Sequence, residues 1–488
     1  MRFLQDGKQL GQIKLSGPFN SQDLSADLKL VVDPIDKNVL NIVGVMVGLD
    51  FESTSISAEY RFKIAPNAEK VETTGKVNFD QLSISQIVNG KKGPATPAMN
   101  LSLGYGTDVD LVGQTATLNS LSVNGSNAKG KFLSGDLSKP ISISFGDSMK
   151  ASGDAAYSLK FTDFDLAPWS AIVGGSVPEG SISVNLDVAA DAAGENVTAN
   201  CGVKLTQSGA EALAVNGNLA YALTTSIVDL ASKVRVDLSK LKIPGAPVIP
   251  GEPMTISVDT ALKADLNASS AKLDRVNFAA SAGASKIIDG KLNQPTTVGW
   301  GDKISLSSGS SYNLAITDFD LKHAKAIAGD SVPDGVLNLK LDIAADDSGS
   351  NVSVKYAGDL AQSRQQVLKT AGDIAVNIAT LALDLRTTLD AELSKLQIAG
   401  QPIVPAEQNV SMTMSMDSNF DGSTFKLKEF KSTFKEGGKL LTSLGAVAEV
   451  SLPKGANDPI RITNTKIQLE PTARAKNALA INGQITLA

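Results

Sequence analysis

Phe161–Asp191 reads FTDFDLAPWSAIVGGSVPEGSISVNLDVAAD, and Ile316–Asp346 reads ITDFDLKHAKAIAGDSVPDGVLNLKLDIAAD, 155 residues later. Twelve of the first twenty positions are identical. The second half of each stretch alternates strictly. Ile182, Val184, Leu186 and Val188 are separated by polar residues, as are Leu337, Leu339, Leu341 and Ile343 one period on. A two-residue period puts every apolar side chain on one face of a strand. The first half of each predicts a short helix that opens near Asp165 or Asp320 and stops at the turn Val-Pro-Glu-Gly or Val-Pro-Asp-Gly.

The duplication runs beyond this stretch. At the same offset FLSGDLSKPISISFGD (132–147) matches IIDGKLNQPTTVGWGD (287–302), and LSKLKIPGAPVIP (238–250) matches LSKLQIAGQPIVP (393–405). Two full copies therefore occupy 101–255 and 256–410. Residues 1–100 read as a shorter copy, with VVDPIDKNVLNIVG in place of the helix segment and QLSISQIVNGKKGPATP in place of the Leu-Ser-Lys segment. Residues 411–488 read as the first half of another. The alternating set Val410, Met412, Met414, Met416 spans its start, and Leu479, Ile481, Ile485, Leu487 alternate near its end. A period this long is a duplicated sheet module, not a short-repeat solenoid.

The polar partners of these alternating residues are Ser, Asn, Asp, Lys and Thr. One dry face and one wet face is the pattern of an antiparallel sheet. Helices are expected to be few and short. Asp33 followed by Pro34 predicts a helix start, and Val39, Ile42, Val43, Met46 and Val47 form a stripe at helical spacing that would cover a sheet end. No Gly-, Ser- or Pro-rich linker separates the copies. The expected fold is mostly β: an elongated, curled antiparallel sheet, an open taco-like groove, built from repeated modules with a few short helices. Helix this scarce leaves the apolar face uncovered, and a large uncovered apolar surface marks a binding site. The expected lining is Ile182, Val184, Leu186, Val188, Leu337, Leu339, Leu341, Ile343, Val410, Met412, Met414 and Met416. Methionine suits mobile acyl chains or a loosely filled core. The competing architecture closes the same strands into dry sandwiches, a structural or adhesive stalk. A transmembrane barrel would need aromatic girdles, and the 23 aromatic residues are scattered.

The 488 residues are 42% hydrophobic and 20% charged, a folded composition, with a formal charge of −6. There is no basic block to follow a phosphate backbone, so nucleic acid is not an expected partner. Cys201 is the only cysteine, which rules out an internal disulfide and a cysteine metal cluster. The opening MRFLQDGKQLGQIKLSG is too polar for a signal peptide. The most apolar run, VLNIVGVMVGL (39–49), is far shorter than the ~20 residues a spanning helix needs. No membrane anchor is expected within these residues: either the protein is soluble, or it is membrane-associated through a segment outside this chain.

The segments DFDLAPWSAIVGGSVPEGSISVNLDV and DFDLKHAKAIAGDSVPDGVLNLKLDI resemble the AsmA-like family, whose larger relatives include TamB and YhdP. GQIKLSGPFNSQDLSADLKL and GLDFESTSISAEYRFKI are similar to that family's repeated segments. The resemblance implies an elongated β-groove in the periplasm of a diderm bacterium, membrane-associated, serving outer-membrane biogenesis through phospholipid transport between the inner and outer membranes. It implies phospholipid or another acyl-chain lipid as cargo, inner- and outer-membrane proteins as partners at the groove ends, and no chemistry. Family members typically carry an N-terminal transmembrane helix, from which this chain departs.

Catalytic, cofactor and metal residues are not expected. His323 is the sole histidine and reads as a helix-surface residue. In the pairs Asp163/Asp165 and Asp318/Asp320, capping accounts for one member and solvent exposure for the other. Ser126–Lys129 and Ser269–Lys272 match Ser-x-x-Lys but fall in strand or turn contexts without the helix such a nucleophile needs. Isolated GYG (104–106) lacks the strand–turn–helix setting of a nucleotide fingerprint.

Overall fold

The computed structural model describes residues 1–145, 150–152, 154–173, 177–243, 253–301, 304–329, 332–378, 380, 382–398, 401–404, 407–419, 424–451, 460–471 and 479–487. It is 71% strand and 5% helix, mostly β, with antiparallel sheet that is not closed and few short helices. The chain divides into two compact units, 1–246 and 247–488.

In the first unit, consecutive strands pair almost in chain order. Arg2–Gln5, Lys8–Ser16, Ala26–Ile35, Ser55–Ile64, Lys70–Leu82, Met99–Asp110 and Thr115–Asn127 form an antiparallel run. It continues through Gly130–Leu137, Ala156–Asp165, Ser181–Ala190, Asn196–Gln207, Ala210–Ala222 and Ile227–Asp237. The second unit repeats this order from Met254–Asp265 through Ala382–Glu392, then adds Gln408–Asn419, Thr424–Glu436, Lys439–Ser451, Ile460–Pro471 and Leu479–Leu487. The sequence period is retained strand by strand. Ser181–Ala190, Asn196–Gln207, Ala210–Ala222 and Ile227–Asp237 recur 155 residues on as Val336–Ala345, Asn351–Gln362, Gln365–Asn377 and Ala382–Glu392.

The short helices are α1 (Lys37–Gly44), α2 (Ser170–Val173) and α3 (Lys322–Ala328). Each follows a strand broken by the same irregularity, a register shift at Val32/Ile35, Phe161/Phe164 and Ile316/Phe319. In the two full copies the bulge holds a Thr-Asp pair, 162–163 or 317–318, and Asp163 and Asp318 take φ of 46° and 50°. The backbone N–H of this aspartate donates to the Ser183 hydroxyl or the Asn338 amide oxygen on the next strand. Asp165 and Asp320 then accept from the first N–H groups of the helical segment, at Ala167 and Lys322.

The first copy corrects two expectations. Asp33 is not a helix cap. It lies in the strand bulge and pairs with Lys14 at 2.8 Å, while Asp36 accepts from Asn38 N–H and caps α1. Pro34 sits in the bulge, where no ladder hydrogen bond is demanded of it. The helix also faces the other way from its expected stripe. Val39 and Leu40 are half-buried and Gly44 is buried against Leu49 and Phe51, whereas Ile42, Val43, Met46 and Val47 are exposed. His323, expected on a helix surface, is buried beside Phe319, their ring centroids 6.0 Å apart.

Among the described residues buried apolar side chains are few, and most lie at the helix end of the strands, with only alanines such as Ala155 and Ala345 buried at the other end. In the second unit Leu360, Val367 and Leu396 form such a knot with Leu321 and Leu368. A buried glutamine fastens the same end in each full copy. The Gln207 amide group donates to the Glu179 and Lys242 carbonyls and its oxygen accepts from Lys242 N–H. Gln362 makes the matching bonds to Asp334 and Gln397. Satisfying these backbone groups is what permits the turn segments to pack on the sheet end without orphaned polar atoms.

Candidate functional site

The pairing registers carry apolar side chains from strand to strand in rows. In the first unit one row runs Ile35, Ile56, Phe79, Leu101, Gly125, Leu133, Phe161, Val184, Val203, Val215, Val234. A second runs Ile13, Val32, Ala58, Val77, Leu103, Val123, Gly135, Leu159, Leu186, Cys201, Gly217, Ser232. Ile182 and Val188 extend the same face in either direction along their strand. The opposite face is ionic. Arg61 clasps Asp27 through two hydrogen bonds of 2.9 and 2.8 Å, and Lys29–Glu59 and Lys63–Glu72 are cross-strand pairs beside it. These exposed pairs contribute little each. Their weight is in fixing which face meets water, since a one-residue slip would invert it.

In the second unit Leu337, Leu339, Leu341 and Ile343 lie on the strand Val336–Ala345, and Val410, Met412, Met414 and Met416 on Gln408–Asn419, with three strands between. The registers join them in rows: Leu337, Leu360, Leu368, Ala391, Val410; Leu339, Gly358, Thr370, Leu389, Met412; Ile343, Val354, Ile374, Leu385, Met416. So the structure brings these eight residues onto one face of this unit, and sets Ile182, Val184, Leu186 and Val188 on the corresponding face of the first.

All twelve are half-buried. At the helix end their row neighbours Leu205, Leu360 and Ala391 are buried, but further along the strands the face opens. Leu103 is 40% exposed and Leu219 and Leu230 are each 37% exposed, although all three sit within long strands. Cys201, in the middle of a row between Leu186 and Gly217, is exposed. Leucines in the centre of a closed sandwich pack against a second layer and lose nearly all contact with water. These have not.

Glycines punctuate the face, and tyrosines lie over them. Gly75 is flanked by Tyr60 and Tyr105; the Tyr157 ring covers Gly135 and the Tyr312 ring covers Gly290. A ring spread across a cross-strand glycine shields the bare backbone. Burial pushes the Tyr157 and Tyr312 phenols up, with Asp136 and Asp289 adding to it. Tyr356 covers Gly372 and donates its hydroxyl proton to Thr387. Beside α2 the rings of Phe132, Phe161, Phe164 and Trp169 cluster edge-on or tilted, with centroid spacings of 4.7–5.7 Å. Sequence reading did not single out Cys201's place on the face, the glycine–tyrosine pairs or this aromatic cluster. The recurrence of Gly135–Tyr157 as Gly290–Tyr312 at the 155-residue offset was the available signal for the second.

Among the described residues, no group of three or more His, Cys, Asp or Glu side chains is arranged to hold a metal ion, and no helix is long and apolar enough to cross a membrane. Ser126 closes a strand and Lys129 lies in the turn after it; Ser269 is a turn residue and Lys272 pairs with Asp274. No family model and no curated protein matches the chain.

Proposed function

We propose that this chain is a lipid-binding, lipid-transferring β-groove protein of a diderm bacterial envelope, acting in the periplasm as a passive conduit for phospholipid acyl chains between membranes. The observation that carries the reading is the half-exposed apolar face, with Leu103, Leu219, Leu230 and Cys201 open in mid-strand. The resemblance to AsmA-like proteins points the same way. An acyl chain laid along such rows removes its own methylenes and the leucines beneath it from water, a gain of roughly 0.8 kcal/mol per methylene buried. The headgroup stays at the open side. Nothing in this mechanism breaks a covalent bond. Direction comes from gradients or from membrane proteins at the ends of the path.

A closed-sandwich stalk is the rival reading, and the same leucines count against it. Gentle purification followed by solvent extraction and mass spectrometry separates the two: phospholipid in at least stoichiometric amount is expected. Cys201 supplies a second readout. An environment-sensitive thiol dye on this single cysteine should label readily in delipidated protein and shift to the blue when oleate or phospholipid is added. A well-folded sample that carries no lipid and whose labelled Cys201 ignores added lipid would refute the proposal.

A further inference from the structure

The densest exposed apolar patch on the first unit is not on the sheet. It is α1 with the single 3-10 turn that follows, Val45–Val47. Ile42, Val43, Val45, Met46 and Val47 are each at least 60% exposed, Met46 reaching 83%. Exposed Val88 lies close by on the strand Ile84–Val88, whose Ile87 N–H donates to the Gly48 carbonyl. Between Lys37 and Asp50 the segment has no charged residue. Its two polar side chains are both engaged locally: Asn38, at the start of α1, donates to the Asp36 carboxylate, and Asn41 is turned inward to accept from Phe51 N–H at 2.7 Å. The corresponding helix α3 differs: it carries Lys322 and Lys325 and buries His323. Elsewhere the exposed apolar side chains are strand residues such as Leu103, Leu219 and Leu230, or ones and twos at turns, such as Leu111 with Val112 and Leu266.

We infer that this segment is a membrane-seating finger, which inserts between the headgroups of a lipid bilayer and holds the first unit at the membrane surface. The chemistry fits a bilayer better than a protein. Five side chains of this size expose on the order of 500 Å², short of the ~800 Å² per partner of a standard stable interface. The five residues are almost consecutive in a helical segment, so the patch curves round it and is not a flat or grooved surface. It offers no charge or free side-chain donor to specify a protein partner. Helical backbone whose polar groups are bonded internally, bearing only aliphatic side chains, can enter the headgroup–acyl boundary without stranding a polar atom. Lys37 and Lys91, the latter paired across from Val88, lie beside the patch, but a bilayer of neutral lipid gives them no net charge to attract, so binding to it should be apolar and insensitive to salt.

The inference stands on a different observation from the sheet-face reading, and one experiment keeps them apart. Neutral phosphatidylcholine vesicles are floated through a density gradient with the full chain, with Ile42→Asp/Met46→Asp, and with Leu339→Asp. The wild type and Leu339→Asp should float alike, at 0.1 M and at 0.5 M salt, and the double variant should lose at least tenfold in partitioning. Both replaced side chains are exposed, so the melting temperature of that variant should be unchanged. A dye on Met46→Cys in a Cys201→Ser background should brighten and shift blue on vesicle addition. Failure to float, equal flotation of the double variant, loss of flotation in salt or in Leu339→Asp would each overturn the inference. So would a dimer that Ile42→Asp/Met46→Asp dissolves, because the patch would then belong to a second copy.

Discussion

Two residues one period apart show how a small change in the chain is absorbed by a fixed fold. The hairpin after Asn196–Gln207 turns on Ser208 and Gly209, both with positive φ, and the matching hairpin turns on Ser363 and Arg364, with φ of 49° and 64°. A two-residue turn of this type needs left-handed backbone at both positions, which glycine adopts freely and arginine does not. Arg364→Gly should therefore stabilise the protein by about 0.5–1 kcal/mol, read as a rise in denaturation midpoint; a fall would mean that the arginine side chain holds the turn. Asp346 gives a prediction with a pH sign. Hydrogen bonds from the Asn351 and Ser348 side chains, then from backbone N–H groups, hold its carboxyl down at about 2 against an ordinary 3.8. A depressed carboxylate contributes stability that is complete above its unfolded value and disappears as pH falls through the folded one. Asp346→Ala should thus speed hydrogen exchange in the turn before Asn351 at neutral pH, and its difference from wild type should fade between 3.8 and about 2. A difference that persists below that range would assign the effect to something other than the charge.

At the scale of the element, the decisive quantity is how much water each face keeps. Leu339 sits on the apolar face between Ile316 and Gly358 and is half-buried. A buried charge in a sealed core is worth several kcal/mol of destabilisation, whereas a carboxylate on an open face can reach solvent. Leu339→Asp is expected to cost only about 1–2 kcal/mol in urea unfolding, yet to deplete the phospholipid recovered with the protein. Cooperative collapse of the second unit with this substitution would make the position closed core. The strands and their apolar faces were legible in the sequence because alternation is local. Leu337 to Ile343 declare their side of the sheet without knowledge of any partner. What depends on distant groups was not legible. Asp33-Pro34 has the form of a helix start, but pairing with Lys14 and the bulge at Val32/Ile35 keep it in the strand, and Asp36 caps instead. The α1 stripe has helical spacing whichever way it points. Gly44, packed against Leu49 and Phe51, selects the buried side and leaves Met46 in water. Buried Gln207 and Gln362 look like ordinary strand-end polar residues until the turns they fasten are in place.

For the molecule as a whole, duplication changes the scale of a surface without changing its chemistry. Each copy repeats the bulge, the short helix and the half-open strand face, so each compact unit offers apolar rows to a ligand of the same kind. A chain built this way would carry lipid by offering many equivalent weak positions, none deep enough to hold an acyl chain permanently. Such a carrier needs no nucleotide and consumes nothing. With dye-labelled phospholipid in donor vesicles and unlabelled acceptors, added protein should speed exchange in proportion to its concentration. The rate should be indifferent to ATP and to chelators, and the recovered lipid should keep both acyl chains. Replacing residues from one row in each unit, Leu186→Asp with Leu339→Asp, should slow transfer more than either change alone, because both faces would be handling the same cargo. Hydrolysed lipid in the acceptors would instead point to chemistry that the face of half-exposed leucines does not account for. Transfer unaffected by the pair would remove the apolar rows from the path of the lipid.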